Sequence, residues 1–203
     1  MLMGGAILLL AQVSHAAGEI QPPFFSIGDS WEMHKVDGLH PNMELQHVKY
    51  KITRTGSDFI AFEGVDNDRT YTGMFTPGLN LFTRADAQGR IAARRVLQWP
   101  LFTGKKYEYE YFNGREMMTA HVSVGNTEDV TTPAGKFKAI RIDIVGEWRS
   151  YNAANSSGKW TESRWYSQEV KNIIRDEYKF FNEKNVVFSW SVEELLSKNI
   201  KTQ

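Results

Sequence analysis

The sequence is marked first by what it lacks. Its 203 residues include no cysteine, so structural disulfides are excluded, as is the lipidated cysteine that anchors a bacterial lipoprotein. Any exported domain made from it must be held by its core alone, which this length allows. Nor is there an excess of charge of one sign. Lysine plus arginine number 24 and aspartate plus glutamate 24, so no basic footprint marks a partner among nucleic acids or anionic membranes. No apolar run is long enough to span a bilayer. No Gly-x-Ser-x-Gly elbow and no glycine-rich phosphate loop occurs. With no thiol and no activated serine motif, nucleophilic catalysis has nothing to build on.

Aromatic residues are abundant, at 13%, which argues against disorder. The start, MLMGGAILLLAQVSHAAGE, has an apolar stretch from Ala6 to Val13 followed by small side chains. Ser14-His15-Ala16 offers a signal peptidase the small residues it requires, which predicts a signal peptide over residues 1–16 and cleavage after Ala16. No Lys or Arg precedes the apolar stretch, so the α-amino group supplies the only positive charge there. The expected product is a periplasmic or secreted protein with no transmembrane span in its mature chain, built as one β-rich domain over residues 17–203.

From Trp31 onward the hydrophobic period is two. VKYKITRTGSDFIAFEG reads as two alternating runs around a Gly-Ser-Asp turn, and YEYEYFNGREMMTAHVSV as two more around Asn113-Gly114. FKAIRIDIVGEW, KWTESRWYS, NIIRDEYKFF and NVVFSWSVEEL continue the series. This predicts about ten or eleven strands at the spacing of an all-β sheet or barrel. The fold expected is mostly β with little helix: a curved antiparallel sheet, as a half-barrel or open barrel. The tail VEELLSKNIK and the stretch from Arg90 to Leu97 are the only helix-capable segments.

TTPAGKF, residues 131–137, illustrates the turn chemistry. Pro133 has its φ set for the first turn position, and Gly135 can take a positive φ at the end of a three-residue hairpin loop. Beyond it Ile140, Ile142 and Ile144 share one face, with Lys138 nearer the turn, while Ala139, Arg141 and Asp143 share the other. The stretch is read as a hairpin, not a ligand grip.

Four segments together, IGDSWEM, WPLFTGKKYEY, VTTPAGKFKAIRI and RWYSQEVKNIIR, resemble the pattern of an exported bacterial β-rich family of unknown function. Some of its members are likened in fold to the half-barrels that carry lipoproteins across the periplasm. The resemblance covers Gly28 to about Arg175 and implies a curved antiparallel sheet in the cell envelope. It brings no catalytic residues. The family pattern often has Pro where Gln168 stands and Gly where Asn172 stands; asparagine tolerates the left-handed conformation.

His34, His40 and His47 lie near one another in sequence, but their irregular spacing does not match a metal site. His121 falls on the wetter face of its strand. Glu108 and Glu110 share a strand face, about 7 Å apart in such an arrangement, a separation compatible with a glycosidase pair. Alternating glutamates on a solvated face opposite Tyr107, Tyr109 and Tyr111 are, however, ordinary strand design. Trp148 and Trp160 flank the polar loop RSYNAANSSGK, which carries Tyr151. Aromatics so placed can stack on sugar or close over an apolar ligand, or simply pair across the hairpin.

The function expected is a non-enzymatic envelope binding protein for an apolar ligand or a protein partner. The alternative is a glycan-binding module using Trp148, Tyr151 and Trp160, and a hydrolase ranks third. No cofactor, metal or catalytic residue is expected.

Overall fold

A computed structural model describes residues 18–82, 95–112, 116–150 and 156–201. The expected signal peptide and the Asn113-Gly114 turn lie outside these residues. Within them are ten strands: β1 (Ser30–Asp37), β2 (Glu44–Thr55), β3 (Ile60–Asp66), β4 (Arg69–Phe75), β5 (Lys106–Phe112), β6 (Glu116–Thr132), β7 (Gly135–Ser150), β8 (Ser157–Ser167), β9 (Asn172–Phe181) and β10 (Val187–Asn199). No helix occurs among the described residues.

The strands form one antiparallel sheet in the order β4-β3-β2-β1-β10-β9-β8-β7-β6-β5. Neighbours in space are neighbours in sequence except at β1 and β10, which pair in the middle of the sheet. The two outermost strands, β4 and β5, are consecutive in the chain and do not pair. The fold is thus a curved meander opened along one seam, and the chain must cross that seam between Thr76 and Lys105.

The described parts of this crossing, residues 76–82 and 95–105, pack on the inner face of the sheet and are here called the strap. Val96, Leu97 and Leu101 of the strap are buried with Ala120, Val122, Ile140, Ile142, Ile144 and Tyr166 of the sheet. The Asn80 side chain clamps the strap internally, accepting from Leu97 N–H and donating to Leu97 C=O, both at 2.8 Å. Tyr107 donates its hydroxyl to Val96 C=O at 2.6 Å. The lead-in before β1 joins the strap through a bridge between Ile20 and Leu101.

Alternation decides what faces inward. Tyr109 is buried on β5 while Glu108 and Glu110 are exposed, as the sequence predicts. The TTPAGKF hairpin is also present, with Thr132 opposite Gly135 and Gly135 at φ +130°. The loop holds two residues, Pro133 and Ala134, with Gly135 already in the strand, rather than the expected three.

Two sequence expectations are corrected. The helix-capable tail is strand up to Asn199, because β10 is paired on both sides, by β1 and β9; ladder pairing overrides weak helix propensity. Arg95 to Leu97 are irregular chain, and the rest of that helix-capable stretch lies outside the described residues. Ala139, on the parity opposite the three isoleucines, is buried with Phe137 and Val130. A bulge at Gly125-Asn126 shifts the register between β6 and β7, and bulges bend a strand. The hairpin tip reaches β10, where Ala134 N–H donates to Leu195 C=O at 3.2 Å, and it packs with Val170, Ile174 and Leu195.

Candidate functional site: a cleft between sheet and strap

A line of charged residues crosses the sheet's inner face. Lys35 on β1 stands opposite Glu193 on β10, Glu193 opposite Asp176 on β9, and Asp176 opposite Arg164 on β8. Four charged residues thus form a ladder across four adjacent strands, with signs plus, minus, minus, plus. Glu162, two residues from Arg164 on the same face of β8, adds a third carboxylate and is only 2% exposed.

The ion pairs are short. Arg164 donates from Nε to Glu162 Oε1 at 2.6 Å and also engages it through Nη2. Arg164 Nε lies 3.2 Å from Asp176 Oδ2, and Lys35 Nζ lies 3.6 Å from Glu193 Oε2. Asp176 Oδ1 is buried with no hydrogen-bond partner among the described residues. Burial opposes the charge on Arg164, but the flanking Glu162 and Asp176 carboxylates outweigh it and hold the guanidinium firmly protonated. Burial acts in the opposite sense on Asp176. Offset only in part by Arg164 and reinforced by Glu162 and Glu193, it pushes the Asp176 carboxyl up to about 8.

The ladder floors a cleft of about 380 Å³ whose walls include Tyr50, Phe62, Tyr71 and Phe75 from β2, β3 and β4, with Leu79, Leu81 and Val96 from the strap. Phe62 and Phe75 stack at 4.6 Å, and Tyr50 and Tyr71 meet Phe62 edge-on at 5.7 and 6.0 Å. Burial raises the Tyr50 hydroxyl well above its usual range. That hydroxyl accepts a bond from Asn172 Nδ2, which fixes the ring at the back of the cleft. Such a chamber, mostly apolar with a few convergent polar groups, has the size and composition of a small-molecule site.

Of the residues singled out from sequence, Trp160 is fully buried and stacked on Tyr178 at 5.3 Å. Trp148 is half-buried and lines clefts at the sheet's far end with Ser157, Asn182 and Glu183. Tyr151 lies outside the described residues. The two indoles are not opposite each other: Trp160 faces Gly146, and Trp148 faces Gly158. His34 and His47 are cross-strand partners, but each turns to a carboxylate, His34 to Glu194 at 3.8 Å and His47 to Glu32 at 2.7 Å. His40 sits against Asp37 at 3.1 Å. Among the described residues no group of three or more His, Asp or Glu side chains is spaced to hold a metal ion. Glu108 is tied to His121 at 2.9 Å on the exposed face.

Asn172 serves differently from the sequence expectation. The left-handed residue of the β8–β9 turn is Lys171, at φ +59°, whereas Asn172 begins β9 and holds Tyr50. The ladder itself was missed in the sequence, although its signal is present: Asp176 shares the parity of Ile174, Tyr178 and Phe180, and Arg164 that of Trp160. A charge on the apolar parity of a strand marks a buried polar site.

No family model and no curated protein matches the chain. Two solved structures do. One is a protein of Parabacteroides distasonis provisionally named a lipoprotein, with TM-score 0.55, 14% identity, and coverage of 89% of this chain and 99% of that one. The other is a provisionally named exported protein with a YmcC-like fold from Bacteroides fragilis, with TM-score 0.47, 13% identity, and coverage of 90% and 100%. At 14% identity the likeness to the first is one of fold alone. It agrees in architecture with the exported β-rich family that the sequence motifs resemble.

Proposed function

We propose that the protein is a non-enzymatic, extracytoplasmic binding protein that holds an apolar-chain ligand between the strap and the inner face of its sheet. The observation that carries this reading is the cleft walled by Tyr50, Phe62, Tyr71 and Phe75 and bordered by Leu79, Leu81 and Val96. Burying apolar surface there gains about 25 cal/mol per Å². Export is supported by the Ala6–Val13 stretch and Ser14-His15-Ala16, and the fold shared with a lipoprotein-named protein is compatible with it.

Protein purified from its native host without organic solvent should carry lipid-sized adducts in native mass spectrometry, on a chain beginning at or near Ala17. Adduct-free protein that also fails to bind a fluorescent fatty-chain probe would sink the binding reading. Intact Met1 in the cytoplasm would sink export.

A second reading is glycan binding at the β7–β8 end, with Trp148 and Tyr151 as the contacting aromatics and the fully buried Trp160 in the core. It is favoured by the half-exposed Trp148 beside the polar Ser157, Asn182 and Glu183. Retention on a polysaccharide column that is lost in Trp148→Ala would select it over the apolar-chain reading.

A further inference from the structure

Charge is balanced over the whole chain, but not where the lead-in before β1 meets the end of β10. The lead-in turns at Ser26–Asp29: Ser26 N–H donates to Asp29 Oδ2 at 2.9 Å, and Asp29 N–H to Ser26 C=O at 3.0 Å. Phe25 faces inward and meets Trp31 edge-on at 5.8 Å. Its neighbour Phe24 is left outside, 70% exposed, and Ile27 within the turn is 53% exposed. Two large apolar side chains thus stand in water on one short stretch.

A groove of about 720 Å³ lies beside them, between the lead-in, the β8–β9 turn and the end of β10. Lys171, Lys198 and Lys201 line it against a single carboxylate, Glu169. Lys171 is turned to the buried Asp29 at 3.2 Å, and Lys198 to Glu169 at 3.4 Å. Lys201 forms no ion pair among the described residues, and its backbone is pinned by an N–H bond to Asp29 Oδ1 at 2.8 Å. Its side chain lies over Gly28, where a Cβ would stand 3.1 Å from Lys201 Cε and 4.0 Å from Lys51 Cε. Lys51 therefore converges on the same place, next to Ile27. Glu63 stands opposite Lys51 on β3 without closing an ion pair. Both lysines are exposed.

Exposed apolar side chains flanked by unpaired cations suit a surface that is anionic outside and apolar beneath. A soluble anion would engage the lysines and leave Phe24 and Ile27 in water. A neutral apolar surface would take those two side chains and leave the cations unused. We propose that this end of the molecule docks on an anionic lipid bilayer. Phe24 and Ile27 enter the boundary between headgroups and acyl chains, and Lys51 and Lys201 meet lipid phosphates. The docking is peripheral and needs no membrane span. None of the four residues lines the cleft between sheet and strap, so the proposal stands apart from the ligand reading.

The test is co-sedimentation of the full mature chain with two kinds of vesicle: phosphatidylcholine alone, and phosphatidylcholine mixed equally with phosphatidylglycerol. The anionic vesicles should bind at least about tenfold more tightly, and about 0.5 M NaCl should remove most of that advantage. Lys51→Gln and Lys201→Gln should each weaken binding about fivefold, the factor equivalent to about 1 kcal/mol per lysine. Phe24→Ser should weaken it about tenfold. Lys184→Gln, which removes an exposed lysine from the β9–β10 hairpin at the far end of the sheet, should leave it unchanged. Thermal melts matching the wild type confirm that each variant is folded. No binding, equal binding to the two vesicles, or unchanged binding in Lys201→Gln and Phe24→Ser would overturn the proposal. So would a loss in Lys184→Gln as large as that in Lys201→Gln, which would reduce the effect to unspecific attraction. Monomeric short-chain phosphatidylglycerol binding as tightly as vesicles would put a single headgroup in the groove and remove the bilayer.

Discussion

Trp160 lies flat on Gly146 across the β7–β8 pair: a Cβ built on Gly146 would stand 2.2 Å from the indole Cε2. Trp160 is fully buried and stacked on Tyr178, so the ring has nowhere to go. Gly146→Ala should therefore cost about 1–3 kcal/mol by overpacking, read as a lower denaturant midpoint. Gly158→Ala should cost at least as much, because its Cβ would meet the Phe181 carbonyl oxygen at 2.7 Å as well as Trp148. If both variants melt like the wild type, the reciprocal tryptophan-on-glycine arrangement is wrong.

Gly135 is a different kind of glycine. The nearest atom to a Cβ there is 3.8 Å away on Phe137, so space is ample, and only the φ of +130° opposes a side chain. Gly135→Ala and Gly135→Val should both lose about 1–2 kcal/mol from backbone strain. Pro133→Ala should lose less, since it acts mainly by loosening the unfolded chain. Equal denaturant midpoints for the three variants would contradict the hairpin geometry.

Asp29 of the IGDSW segment is fully buried and ties together three distant pieces of chain. It accepts from Ser26 N–H at 2.9 Å, from Lys201 N–H at 2.8 Å and from Lys171 Nζ at 3.2 Å. Asp29→Ala strands a largely buried lysine and two amides, and should cost about 3–5 kcal/mol. Lys171→Met, which removes the cation but leaves both backbone donors served, should cost less. A thermal shift of the reverse order would show that the lysine, not the aspartate, organises this junction.

Asp176 makes stability depend on pH in a defined direction. Its carboxyl titrates higher in the folded chain than in the unfolded one, so the folded state binds more protons between the two values. Stability from this group is complete below the ordinary carboxylate range and is lost as pH rises through neutrality toward about 8. Asp176→Asn should be nearly neutral at pH 4.5. At pH 8.5 it should stabilise by at least about 1.4 kcal/mol, the worth of a one-unit shift. Melts at the two pH values check this, and destabilisation by Asp176→Asn at pH 8.5 would contradict the assignment.

The sequence by itself determined the strands and their faces. Tyr107, Tyr109 and Tyr111 against Glu108 and Glu110, the three isoleucines of β7, and the Pro-Ala-Gly turn are read from period two and from the φ that proline fixes and glycine permits, all of which act within a few residues. Only the tertiary structure decided which strands meet. Lys35, Arg164, Asp176 and Glu193 come from four strands, the consecutive β8, β9 and β10 and the distant β1, and the local alternation that gives each its face says nothing of register. The same holds for Trp148 and Trp160, whose opposite numbers are glycines, and for Ala139, buried because a bulge at Gly125-Asn126 bends the hairpin back onto β10. The β10 tail shows the limit most plainly: Glu and Leu suit a helix locally, and it is strand because β1 and β9 offer it a ladder on both sides.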